Sequence, residues 1–148
     1  MKRILIVTLV LVLSLVSCGS KQVAMDTVRD TVSKVQFRDL TFEPDLDMTL
    51  SQYNLEIQGI ESYRIMSGTG ATAEEITVFK LAQGVSSEDV KKACEQRKED
   101  VYKMYETYKP AEVPMIENTQ IFTQGEYVFY VCADNAQNVK TEIENLFK

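Results

Sequence analysis

The chain has 148 residues, a formal charge of −6 and no histidine or tryptophan. That length suits one ordinary domain behind any targeting segment. The acidic balance and the lack of a basic run argue against nucleic acid and anionic headgroups as partners, because phosphates demand Lys and Arg; the missing histidine removes the commonest general base and metal ligand.

Lys2 and Arg3 precede an almost wholly aliphatic run, 4–16, broken only by Thr8 and Ser14. The run is too short to span a bilayer, which needs roughly 20 apolar residues, and it fits a signal-peptide core. It ends in Leu15-Val16-Ser17-Cys18, which resembles the lipobox of bacterial lipoproteins. The resemblance implies a signal peptide at 1–17, cleavage before Cys18 and a diacylglyceryl group on the Cys18 thiol. A buried methylene contributes about 0.8 kcal/mol, so two acyl chains would hold the protein on the membrane without spanning it. The mature chain then divides into 18–44, the lipidated Cys18 with a short polar tether and an N-terminal segment, and 45–148, a single domain.

Between 24 and 35, Ala24, Val28, Val32 and Val35 recur at helical spacing, although valine is a weak helix former. The stretch 37–44 reads as irregular. After Pro44, Leu46, Leu50 and Tyr53 share a helical face, with acidic residues in the first turn where the helix dipole favours them. Strand-like runs at 61–67 and 73–82 flank Gly68-Thr69-Gly70-Ala71 and read as a hairpin. Ser86 or Ser87 caps a long helix that stops before Pro110, with Val90, Ala93, Cys94, Val101, Met104, Tyr105 and Tyr108 on its apolar face. Pro110 and Pro114 mark a loop. Strands at 119–123 and 126–133 turn at Gln124-Gly125, and the unbroken apolar run 127–132 reads as a central strand covered on both sides. Asp134-Asn135 precedes a final helix striped by Val139, Ile143, Leu146 and Phe147. The expected class is α+β: one antiparallel sheet of about four strands in two hairpins, packed against a long central helix and a C-terminal helix in a two-layer sandwich.

Ser67-Gly68-Thr69-Gly70-Ala71-Thr72-Ala73-Glu74-Glu75-Ile76-Thr77-Val78-Phe79-Lys80, followed by Arg97, Tyr108-Lys109-Pro110, Asn118 and Gly125-Glu126-Tyr127-Val128, resembles the core of a family of small Firmicute lipoproteins that carry one domain of unknown function. The likeness covers roughly 46–147 and lies in order and spacing. It implies a surface location on a bacterium with one main membrane, and no activity.

Few residues offer catalytic chemistry. Cys94 and Cys132 have no imidazole to activate them and sit among apolar neighbours, which raise a thiol pKa. They are expected to be free and buried, because a mid-helix position and a strand end lie in layers about 10 Å apart, beyond the usual reach of a disulfide. Gly68 and Gly70 join two strands and open no helix, so they make no phosphate cradle. Glu43, Asp45 and Asp47 lack the turn glycine and distal glutamate of a calcium loop and read as acids at a helix start. Glu74 and Glu75 point to opposite faces of a strand and cannot easily share a substrate. Tyr102, Tyr105 and Tyr108 are candidates for a binding patch, with Tyr105 and Tyr108 at the core edge and Tyr102 outside it. Arg97 lies on or beside the sheet-facing side of the long helix. Either it lifts its guanidinium into water, or it forms a structural ion pair with Glu75 on the strand. No catalytic residue, cofactor or metal is expected. The expected function is a non-catalytic interaction or ligand-binding module on the outer face of the cell membrane, with lipid through Cys18 and an envelope protein or small ligand as partners. The alternatives are an envelope enzyme using carboxylates or tyrosines and an accessory subunit of a membrane transporter.

Overall fold

The structure, a computed structural model, describes residues 21–148. The expected signal peptide and Cys18 lie outside the described residues. Helix α1 (Met25–Val32) has no side-chain cap and is held by Val28 and Val32, buried one turn apart. A two-residue strand, β1 (Thr41–Phe42), leads past Pro44 into α2 (Leu46–Tyr53). Asp45 caps α2 by accepting from the Asp47 and Met48 amides, and Asn54 closes it in the left-handed conformation.

A 3-10 turn (Ile57–Gly59) opens β2 (Ile60–Gly68), which pairs with β3 (Glu75–Leu81). The long helix α3 (Ser87–Tyr108) starts at Ser86, whose hydroxyl accepts from the Asp89 amide, and stops before Pro110. A 3-10 turn (Pro110–Glu112), α4 (Val113–Glu117), β4 (Gln120–Gln124), β5 (Tyr127–Cys132) and α5 (Ala136–Leu146) complete the domain.

The chain is α+β. Its sheet is antiparallel with the order β1-β2-β3-β5-β4, so β3 is central and pairs with β5 from Glu75–Cys132 to Lys80–Tyr127. Three expectations are corrected. The 37–44 stretch contributes a fifth strand, β1, where an irregular segment was expected. The 110–118 stretch is helical, with Met115 and Ile116 buried, because proline is tolerated in the first turn of a helix. The sandwich has three layers rather than two. Ile76, Val78, Phe129 and Val131 pack under α1 and α5, whereas Phe79, Leu81, Val128 and Tyr130 pack under α2, α3 and α4. A β5 apolar at every position is the direct consequence, since successive side chains enter two separate cores.

Candidate functional site

The sheet has two ends. Near one end, the Tyr127 hydroxyl donates to the Val23 carbonyl at 2.6 Å and ties down the start of the described chain. At the other, Glu75 pairs with Cys132, roughly 17 Å further along β3 at about 3.3 Å per residue. The turn 68–74 caps this second end.

Tight backbone makes that turn. Gly70 has φ +94°, and a Cβ on Gly68 would meet the Thr72 hydroxyl at 3.0 Å and the Asp39 carboxylate at 3.3 Å. Asp39 accepts from both the hydroxyl and the amide of Thr69, each at 2.6 Å. These two bonds hold the Asp39 carboxyl below its ordinary pKa. Tyr105 donates its hydroxyl to the Thr72 carbonyl at 2.7 Å, and Lys109 reaches the Ala71 carbonyl at 2.5 Å.

Two buried acids anchor the turn from below. Glu74 accepts from the Arg38 amide at 3.0 Å and from the Thr72 hydroxyl at 2.8 Å. Glu112 accepts from the Ala73 amide at 3.2 Å and from the Arg38 guanidinium at 2.8 Å, with the Lys109 ammonium at 3.4 Å. Arg38 spans the group, reaching Glu74 at 3.5 Å and Asp134 at 3.2 Å. Burial alone would raise the Glu112 pKa, but the Ala73 amide, Arg38 and Lys109 together bring it below the usual carboxylate range.

One residue further on, Glu75 turns into the core beneath α2 and α3. Its carboxylate accepts from Arg97 at 2.7 Å, from the Thr77 hydroxyl at 3.1 Å and from the Tyr53 hydroxyl. The Arg97 guanidinium stands 5.9 Å from the centre of the Tyr53 ring. Burial would lower the Arg97 pKa, and the Glu75 charge raises it above its ordinary value. Tyr53 and Tyr130 have hydroxyl pKa values well above normal through burial, reinforced by Glu75. The Tyr130 hydroxyl, the Thr119 hydroxyl and Arg97 Nε are buried without a hydrogen-bond partner.

A cleft of about 160 Å³ lies between the turn and α3, lined by Glu75, Arg97, Val101, Met104 and Tyr105 among others. Of the large exposed apolar residues described, Leu40, Phe42, Met48, Met104 and Tyr108, all but Met48 stand beside the turn. Leu40 follows Asp39, Phe42 pairs with Ser67, Met104 lines the cleft, and the Tyr108 ring is 6.0 Å from that of Tyr105.

The structure brings Glu75 and Arg97 together and separates Glu74 from Glu75, whose carboxylates belong to different networks. It does not gather the three tyrosines as expected. Tyr105 is buried in the turn's anchor, Tyr108 is 69% exposed, and Tyr102 is half-buried against the α2–α4 core. Tyr102 and Tyr108 thus exchange the places expected of them, Tyr102 packing against the core and Tyr108 standing in water. Cys94 and Cys132 are buried free thiols. Burial pushes the Cys132 pKa up to about 12 and drives Cys94 upward too.

Sequence reasoning missed Arg38, Glu112 and Lys109 as partners of the turn, and Tyr53 and Thr77 as partners of Glu75. Only Lys109 and Glu112, three residues apart beside Pro110, carried a local signal. Much of what carries the family likeness nevertheless converges here: the 67–75 run, Arg97 and Lys109.

Among the described residues, no group of three or more His, Cys, Asp or Glu is placed to hold a metal, and no helix is long and apolar enough to cross a membrane. A family model described as a domain of unknown function, DUF4358, matches residues 43–133. No curated protein and no solved structure matches the chain.

Proposed function

The chain belongs to the DUF4358 family, whose matched span takes in the cleft, the 68–74 turn and most of its partners, and on that premise we propose that it is a lipid-anchored interaction module of the bacterial envelope. In this reading it is one of the small Firmicute lipoproteins it resembles, held through Cys18 on the outer face of the cell membrane. Its binding surface is the cleft end of the domain. The observation that carries the reading is the exposure of Met104 and Tyr108 on the last turns of α3 beside the cleft, with Leu40 and Phe42 exposed on the segment that pairs with the start of the turn, since large apolar side chains left in water at one end of a domain mark a contact surface.

Two features support binding over catalysis. The ionised groups at the cleft, Glu74, Glu75, Glu112, Arg38 and Arg97, are engaged with one another. The cleft is also small beside ordinary small-molecule sites, which run from about 300 Å³ upward. The tether favours a partner on the side away from the lipid. Val23 lies five residue steps from Cys18, at most about 18 Å of extended chain, and Val23 is held near the opposite end of the sheet.

The test has two arms. Metabolic labelling with a fatty-acid analogue should mark the wild-type chain and leave Cys18→Ala unlabelled; equal labelling refutes the anchor. A photo-crosslinking residue at Met104 or Tyr108 of the membrane-bound protein should give protein adducts, while one at Lys148 should give fewer. Lipid adducts alone at Met104 and Tyr108 refute the binding surface.

A further inference from the structure

The two edges of the sheet differ. On the β1 side the edge is closed. Strand β1 pairs with Ser67 and Gly68, the Tyr63 carbonyl accepts from Arg29 at 3.0 Å, and Ile65 is buried. The opposite edge is β4, which pairs with β5 on its inner side and has no strand on its outer side. Edge strands are usually blunted by charge, proline or a bulge. Gln120-Ile121-Phe122-Thr123-Gln124 has no charged residue and no proline, and its register with β5 runs without a shift.

Alternation fixes which backbone groups of β4 are left over. The Leu81 amide donates to the Glu126 carbonyl at 2.9 Å, which makes Lys80–Tyr127 a pair without mutual hydrogen bonds on the β3 side. Tyr127 therefore turns its amide and carbonyl toward β4, as the two-residue turn at Gly125-Glu126 requires. Gln124, Phe122 and Gln120 face Tyr127, Phe129 and Val131 and bond inward. Ile121 and Thr123 have the opposite parity and turn both amide and carbonyl outward. None of those four groups has a partner among the described residues. The residues are also accessible: Ile121 is half-buried and Thr123 is exposed.

One charge stands at this edge. The Lys140 ammonium of α5 lies 5.5 Å from the centre of the Phe122 ring. Phe129, on the inner strand, stacks on that ring at 4.7 Å, so the ammonium meets it from the open side. Among the described residues Lys140 has no carboxylate partner.

We propose that β4 binds an extended segment of a partner protein, which adds to it as a further strand with a carboxylate facing Phe122. An antiparallel strand paired with Ile121 and Thr123 makes four backbone hydrogen bonds and satisfies every outward group of the two residues. Its residue opposite Phe122 points to the α5 side, where Lys140 stands. A carboxylate at that position pairs with the ammonium. The residues on either side of it point to the other face and lie beside Ile121 and Thr123, where β-branched side chains fit. Lys140 also selects against a second copy of this chain. Pairing β4 with itself about Phe122 would bring two Lys140 ammonium groups to one axis, where like charges repel.

The probe is a blocked, fluorophore-tagged heptapeptide of alternating threonine and valine, with glutamate in place of the central valine. It is titrated into the full-length chain in detergent micelles and followed by fluorescence anisotropy. Three companion peptides carry lysine in place of the glutamate, N-methyl groups on the two threonines flanking it, or one N-methyl group on the glutamate itself. The glutamate peptide should bind about tenfold tighter than the lysine peptide, and Lys140→Gln should erase that difference. Methyl groups on the flanking threonines should weaken binding about tenfold, because those amides face β4; the one on the glutamate should change little, because its amide faces water. Amide exchange at Ile121 and Thr123 should slow on binding, while exchange at Tyr63, on the other edge, should not change. Thr123→Pro removes an outward amide and leaves the β4–β5 ladder intact. It should weaken binding similarly, and should it fail to fold, the methylated pair still decides. Equal affinity for the glutamate and lysine peptides, a glutamate preference that survives Lys140→Gln, equal losses from both methylation patterns, or no binding at millimolar peptide overturns the proposal. So does a concentration-dependent dimer that protects Ile121 and Thr123 without peptide.

Discussion

The two faces of the sheet are built from the same strands and differ in kind. Under α1 and α5 the buried side chains are almost all apolar: Val28, Val32, Ile76, Val78, Phe129, Val131, Val139 and Ile143. Tyr127 is the exception there, and its hydroxyl is satisfied by Val23. Under α2, α3 and α4, β3 contributes Glu75 and Thr77, and β5 contributes Tyr130 and Cys132, among equally buried apolar residues. A one-residue step along β3 separates the two environments. The first face supplies stability by burial alone. The second carries a buried ion pair that contributes little net stability over an apolar replacement and makes the structure depend on the identity of each partner. That asymmetry locates the candidate site on the second face, where it meets the 68–74 turn.

The comparison is broken most directly at Glu75 and Arg97. Glu75→Gln or Arg97→Met should each cost about 3–5 kcal/mol by stranding the other partner. The double variant should cost clearly less than the sum. Chemical denaturation of the four proteins measures this, and strictly additive losses would mean that the 2.7 Å contact carries no coupling. On the apolar face, Ile143→Ala should cost about 2–5 kcal/mol through lost burial and a residual cavity. Combined with Arg97→Met it should add within about 0.5 kcal/mol, because the sheet separates the two sites; strong coupling would show that the faces are not independent.

Acid sharpens the contrast at Glu112. Its folded pKa lies below its unfolded value, so its contribution is present above the unfolded pKa of about 4.3 and is lost as pH falls through the folded one. Stability should drop more steeply below pH 4 in the wild type than in Glu112→Gln, and parallel acid limbs would contradict the role given to Arg38 and Ala73. Alkali acts with the opposite sign. The raised pKa values of Cys94 and Cys132 stabilise fully below the unfolded thiol value of about 8.5, and this is lost as pH rises toward their folded values. Cys132→Val should therefore flatten the stability profile between pH 9 and 11. The smallest effect concerns reactivity. At pH 8 a thiol reagent should modify neither Cys94 nor Cys132 until the protein is unfolded, and both should react then; a missing thiol in denaturant without reductant would mean a bridge.

Much of the fold was readable from local pattern. The caps at Asp45 and Ser86, the stop before Pro110 and the hairpin turns at Gly70 and Gly125 depend on residues a few positions apart. The unbroken apolar run of β5 implies cover on both sides, so a third layer is legible in the sequence. The Glu75–Arg97 pair was visible as one of two readings because an acid among Ile76, Val78 and Phe79 needs a partner. The anchor of the turn was not, since Arg38 lies 36 residues from Glu74 and 74 from Glu112.

The sequence by itself determined what short-range physics controls: the phase of the longer strands and helices, roughly where those begin and end, and which positions are apolar. Caps, prolines, glycines and periodicity act within about one turn or one hairpin, so they survive without knowledge of the fold. Only the tertiary structure decided the sheet order β1-β2-β3-β5-β4, the splitting of the helices between two faces, and the convergence of Arg38, Glu74, Lys109 and Glu112 beneath one turn. Coulombic and hydrogen-bonding partners are selected by distance through space, and that distance is set only once distant segments have packed.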